Sequence, residues 1–162
     1  MKKRTLALSV ILSLSMAIPA YAGIGMILDG HMVSFTDATG RPMIDANSRT
    51  LVPLRAAMES YGCDVKWDEQ SQTATVSKNG TIVQIPVGRS HIIANGQFIM
   101  NDTSAKIHEG RVYLPIRAVL ESFGADVDWD TATNSVSIKS DTKKKQEEEK
   151  QKAYEERQKE IE

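Results

Sequence analysis

The chain has 162 residues in which 20 Lys and Arg nearly balance 21 Asp and Glu, a formal charge of −1. With no basic patch, that balance excludes a general nucleic-acid or anionic-lipid binder and otherwise speaks only to solubility. A single cysteine, Cys63, excludes an intramolecular disulfide, so packing must hold the fold.

In chain order, Met1-Lys2-Lys3-Arg4 places positive charge directly ahead of an apolar run over residues 6–18, followed by the small residues Ala20 and Ala22. This is the pattern of a secretory signal peptide over residues 1–22, with cleavage expected before Gly23. The run is shorter than the about 20 apolar residues of a spanning helix. Gly23 is also not the cysteine that a lipid-modified N-terminus requires. No later stretch reaches spanning length, so the exported chain is expected to carry no transmembrane segment. Removing Lys2, Lys3 and Arg4 takes the formal charge from −1 to −4.

Hairpin signals come next. Asp29-Gly30 separates Met26-Ile27-Leu28 from Met32-Val33-Ser34-Phe35, and strands over residues 49–52 follow Asn47-Ser48. Leu54, Ala57, Met58 and Tyr61 fall on one helical face, with Pro53 suited to the first turn and Gly62 to a left-handed stop. Cys63, Val65 and Trp67 then alternate with Asp64, Lys66 and Asp68, the period of a strand with one wet face, and Ala74 and Val76 resume that alternation in a return strand. Asn79-Gly80 and Asn95-Gly96 mark two more hairpins, the second between Ile92-Ile93 and Phe98-Ile99-Met100, while Thr81 to Gly88 bridges toward the second half.

From there the sequence repeats itself at a constant offset of 62. Leu54-Arg55-Ala56-Ala57-Met58-Glu59-Ser60-Tyr61-Gly62 returns as Ile116-Arg117-Ala118-Val119-Leu120-Glu121-Ser122-Phe123-Gly124. Arg49 meets Arg111, Pro53 meets Pro115, Val65 meets Val127, and Trp67 meets Trp129. A second strand after Glu109-Gly110, a second helix through Ile116, Leu120 and Phe123, and a second hairpin through Val127, Trp129, Val136 and Ile138 follow. Helices of two or three turns do not stand alone, so each is expected to lie on a sheet. The expected class is α+β: two tandem β-β-α-β-β repeats, about 25–80 and about 81–140, forming one domain over residues 25–140 of antiparallel strands packed on two short helices.

Beyond Asp141 the composition turns to Lys and Glu runs that cannot join a core. The tail, residues 141–162, reads as a solvated helix or a disordered segment, with Lys144–Glu148, Glu148–Lys152 and Glu155–Lys159 four apart. Cys63 reads as a buried small apolar residue, with a reactive or intermolecular thiol as the alternative.

The repeated Leu-Val-Pro-Leu-Arg-Ala and Tyr-Leu-Pro-Ile-Arg-Ala segments, each followed by Glu-Ser-aromatic-Gly and Asp-Val-x-Trp-Asp, resemble the copper amine oxidase N-terminal-like or stalk domain, over residues 27–138. The resemblance implies an α+β fold of antiparallel strands twisted about helices, in exported proteins of Gram-positive bacteria. It brings no copper chemistry, which in that family belongs to a separate catalytic domain with a cofactor-forming tyrosine and three histidine ligands.

The residues offer no reactive cluster, so no catalytic, cofactor-binding or metal-binding residue is assigned and no cofactor is expected. His31, His91 and His108 match no metal-ligand spacing. Asp126, Asp128 and Asp130 open like a calcium loop but Thr131 stands where its glycine belongs. Trp67 and Trp129 could make a platform for a glycan or peptide, yet their phase with Val65 and Val127 points them toward the helices and into the core. Arg55 with Glu59, and Arg117 with Glu121, are spaced for ion pairs or for holding a helix against Asp64 or Asp126. The expected function is a non-catalytic binding or spacer module at the cell surface or in the secreted fraction, its partner a cell-wall component or another exported protein. Two alternatives stand beside it: a small hydrolase or ligand-binding enzyme whose carboxylates, such as Asp102 and Glu109, converge only in the fold, and a structural homo-oligomer joined through sheet edges.

Overall fold

The computed structural model describes residues 23–161, so the expected signal peptide lies outside the described residues. The fold is α+β. A first hairpin, β1 (Gly25–Leu28) and β2 (His31–Met32), is followed by a second, β3 (Met43–Ile44) and β4 (Thr50–Pro53), which runs straight into helix α1 (Leu54–Ser60). Then come β5 (Asp64–Asp68), β6 (Thr73–Lys78) and β7 (Thr81–Pro86), and the hairpin β8 (His91–Ala94) and β9 (Gln97–Met100). The hairpin β10 (Lys106–His108) and β11 (Arg111–Leu114) leads into α2 (Arg117–Ser122), then β12 (Asp126–Asp130), β13 (Ser135–Lys139) and the tail helix α3 (Asp141–Ile161).

These strands make three sheets, ordered β12-β13-β1-β2, β10-β11-β4-β3 and β5-β6-β7-β8-β9. Short turns impose antiparallel pairing, and Asp29, Asn79 and Asn95 take the positive φ of 51°, 50° and 48° that two-residue hairpin turns demand. One pairing departs from the antiparallel expectation: β1 runs parallel to β13, Gly25 to Leu28 against Ser135 to Ile138. No turn joins these two strands, so no hairpin dictates their direction. The hairpin at residues 25–32, counted by sequence with the first half of the chain, therefore hydrogen-bonds to the second half. In the middle sheet Val52 sits directly across from Leu114, two positions exactly 62 apart, so β4 and β11 cross about a local two-fold axis.

Both short helices stop in the same way. The amides of Gly62 and Cys63 donate to the carbonyls of Glu59 and Met58, and those of Gly124 and Ala125 to Glu121 and Leu120. This doubled bond closes a helix on a left-handed residue, and Gly62 and Gly124 have φ of 82° and 81°. The prolines stand further out than the first-turn expectation placed them. Pro53 is the N-cap with an extended ψ of 114°, and Pro115 precedes the N-cap Ile116, so both are the last residues of the approach rather than the first of the helix.

Leu54, Met58, Tyr61, Ile116, Leu120 and Val127 are buried, and the half-buried Val65, Trp67 and Phe123 pack against the same cluster. Trp129 does not belong with them. It is 40% exposed, a correction to its expected place in the core. Its phase with Val127 is right, but β12 is a sheet edge, and phase fixes the face a side chain takes, not its distance from the rim. Two residue changes separate it from Trp67. Cross-strand from Trp67 stands Ala74, and from Trp129 the larger Val136. The Trp67 indole N–H also donates to Glu69 Oε2 at 2.6 Å, where the second half has Thr131. Cys63 is buried and its thiol is pushed up to about 11, chiefly by desolvation, which keeps it protonated at neutral pH.

The tail is a helix whose base is fastened to the domain. Ser140 caps it by accepting the Lys143 amide at 3.1 Å, and Ser140 is itself held by both oxygens of Asp29 at 2.8 and 2.6 Å. Lys144, spaced to meet Glu148, turns instead to Asp126 at 2.8 Å and to the Gly124 carbonyl at 3.2 Å, while Lys139 pairs with Glu147.

A second fastening joins the two halves. The Asp45 side chain, 2% exposed, accepts the Asn47 and Arg49 amides, the Thr103 hydroxyl and Lys106 Nζ. These bonds, first the Arg49 amide, hold its carboxyl below the ordinary 3.8. A lowered carboxyl contributes stability that is complete above its unfolded value and vanishes as pH falls through its folded one. Asp45→Asn is therefore expected to melt below the parent at neutral pH, with the gap closing in acid. Melting curves down to about pH 2 check this, and a gap that persists unchanged there refutes it.

Candidate functional site

Two open grooves lie against the N-terminal halves of α1 and α2, of about 470 and 680 Å³. The floor of the first is Leu54, Arg55 and Glu59 of α1, one wall is the edge strand β5 with Trp67, and the facing wall is the β10–β11 hairpin with Ile107 and Arg111. The second has the N-cap Ile116 with Arg117 and Glu121 of α2, the edge strand β12 with Asp128 and Trp129, and the β3–β4 hairpin with Ile44 and Arg49. Leu54 and Ile116, Arg55 and Arg117, Glu59 and Glu121, Trp67 and Trp129, and Arg49 and Arg111 are each 62 apart, whereas Ile107 and Ile44 are offset from that repeat by one residue. Each groove thus takes its helix and edge strand from one half of the chain and its opposite wall from the other.

An arginine organises each floor. Arg55 Nη1 bonds Glu59 Oε1 and the Val65 carbonyl, both at 3.1 Å. Arg117 Nη1 likewise donates to the Val127 carbonyl and lies 3.8 Å from Glu121 Oε1. The i,i+4 pairs expected from spacing are present, but the tether to Asp64 or Asp126 is not. An edge strand leaves its outward carbonyls without a neighbour, and a guanidinium above the strand satisfies one of them.

The walls were not readable as functional in the sequence, although the repeat of Arg49 as Arg111 pointed to them. Arg111 donates to the carbonyls of Asp37 and Ala38 at 3.0–3.2 Å and so pins the loop that rims the first groove. Arg49 instead pairs with Asp102 at 2.9 Å across the second.

What the grooves can do follows from these partners. Glu59, Glu121 and Asp102 are each paired with an arginine, and the second groove holds Asp128 beside the last two. Asp102 lines the second groove, whereas Glu109 stands beside His108 and Arg111, 3.9 and 3.7 Å away. His91 packs on Phe98 and His108 on Tyr113, and among the described residues no group of three or more His, Cys, Asp or Glu could hold a metal. Asp130, a candidate calcium ligand by spacing, caps its own turn through the Ala132 and Thr133 amides, as Asp68 does through Gln70 and Ser71. The second groove differs from the first in offering an uncovered indole, with Met100 72% and Ile44 61% exposed beside it, and Asp128 bearing no ion pair among the described residues.

Among the described residues no helix is long and apolar enough to cross a membrane. Residues 27–138 match the family described as the copper amine oxidase N-terminal domain. A primary amine oxidase of Klebsiella aerogenes is 27% identical over 78 residues, which are 48% of this chain and 10% of that protein. The chain thus spans about a tenth of that relative's length, and what it shares is a non-catalytic domain. The chain belongs to the copper amine oxidase N-terminal domain family.

Proposed function

We propose that the protein, exported and freed of residues 1–22, acts outside the membrane as a non-catalytic module that holds a glycan of the cell wall in the second groove. The observation that carries this reading is Trp129, an indole 40% exposed on the wall of an open groove that also holds the pairs Arg49–Asp102 and Arg117–Glu121. A flat apolar ring accepts the C–H face of a sugar, and planar guanidinium and carboxylate groups bond its hydroxyls. Two of the three carboxylates in the groove, Asp102 and Glu121, are tied to arginines, which favours holding over cleaving.

Retention of the purified protein on insoluble peptidoglycan and wall polysaccharide tests this, with the supernatant assayed for released sugar. The parent is expected to bind without release. Trp129→Ala is expected to weaken binding at least about tenfold, the size of an interface anchor, while keeping the melting point because the ring is at the rim. Equal retention by both proteins would move the site elsewhere. Released sugar would favour a hydrolase, and no retention would leave a spacer.

A further inference from the structure

The three sheets end in six edge strands, and five of them are guarded. The edges β2 and β3 have only two residues each. β10 carries Lys106 and His108. β5 and β12 are charged at alternate positions and have carbonyls already bonded by Arg55 and Arg117. Short length, charge and covering groups are the devices that keep a sheet edge from pairing with another chain. β9, Gln97–Met100, has none of them, and residues 90–101 contain no Lys, Arg, Asp or Glu.

Its backbone is also set for pairing. Ala94 and Gln97 close the two-residue Asn95-Gly96 turn, so they form a hydrogen-bonded pair, as do Ile92 and Ile99. The Asn101 amide bonding the Ser90 carbonyl at 2.8 Å continues that alternation. The N–H and C=O of Phe98 and Met100 therefore point away from β8 to the open edge. Their side chains share the outer face of the sheet and are 70% and 72% exposed.

We infer that β9 is a self-association edge, pairing antiparallel with β9 of a second copy about a two-fold axis through Ile99. In this register Phe98 stands opposite Met100 of the partner copy, and each such pair exchanges both backbone hydrogen bonds. The thioether then meets the phenyl ring, a favourable contact that occurs twice by symmetry. A neutral, self-complementary strand fits a second copy better than it fits a charged peptide. The contact is small, so the dimer is weak and concentration-dependent.

Sedimentation of the purified protein from about 10 μM to about 1 mM is expected to show the average mass rising toward twice the monomer, and Phe98→Glu to abolish the rise. Phe98 does not line the second groove, whereas Ile99 and Met100 do, so Phe98→Glu is the variant that separates the two proposals: it is expected to abolish the rise in mass and to leave glycan retention as in the parent. As a second reading of the register, Ile99→Cys oxidised in air gives a disulfide-linked dimer, since non-hydrogen-bonded partners stand about 4.5 Å apart at Cα. The buried Cys63 gives the parent no such band. A monomer throughout the range, or a dimer that survives Phe98→Glu, overturns the inference.

Discussion

Leu114→Ala is expected to lower the unfolding free energy by about 3 kcal/mol, near the middle of the range for truncating a fully buried leucine. Leu114 is 0% exposed and stands across from Val52 where the two hairpins of the middle sheet meet. It also sits two residues before the N-cap of α2, so a void there loosens the seam and the approach to that helix together. Dense surroundings relax only partly, and the cavity adds its own cost to the lost transfer energy. Urea unfolding measures the effect, with Ile82→Ala, 49% exposed, as a control expected to cost less than about 1 kcal/mol. Because β1 pairs with β13 and β4 with β11, each half of the chain completes a sheet of the other, and the loss is expected in a single transition. A loss under about 1 kcal/mol, or two separate transitions, would show the seam to be dispensable.

What the sequence could carry about this fold was local. The apolar spacing of Leu54, Ala57 and Met58, the glycines at 62 and 124, and the Asp-Gly and Asn-Gly turns act over a few residues, and each specifies its helix end or hairpin where it stands. The parallel pairing of β1 with β13 joins residues more than a hundred positions apart, and nothing in Gly25-Met26-Ile27-Leu28 names its partner. The grooves were hidden for the same reason, since each is walled by a hairpin from the opposite half. Trp129 shows how a correct local pattern misleads. Alternation put it on the inward face beside Val127, but it stands across from Val136 where Trp67 has Ala74, and it lacks an equivalent of the Glu69 that Trp67 bonds. The pairing of Arg55 with Glu59 and of Arg117 with Glu121 was legible because charge and spacing are visible in a sequence. An unpaired carbonyl on an edge strand is not, and it is what both arginines reach.

Gly40→Ala is expected to cost about 2–4 kcal/mol, an unusual loss for adding one methyl group to a loop. Gly40 is buried and has φ +84°, where an L side chain is strained by about 1–2 kcal/mol. Its added carbon would also run into the hydroxyl of Tyr113 and lie 3.1 Å from Arg111 Cδ and 3.3 Å from Pro53 Cγ. None of the three can retreat freely. Tyr113 is 3% exposed, Pro53 ends β4, and Arg111 holds the Asp37 and Ala38 carbonyls that rim the first groove. Gly80→Ala separates the two costs, since Gly80 has the same φ of +84° with nothing within 4 Å of the added carbon, and it is expected to lose only the strain. Equal losses for the two variants in urea would mean that the loop yields around the new methyl, and that Arg111 does not fix the wall of the first groove as its hydrogen bonds imply.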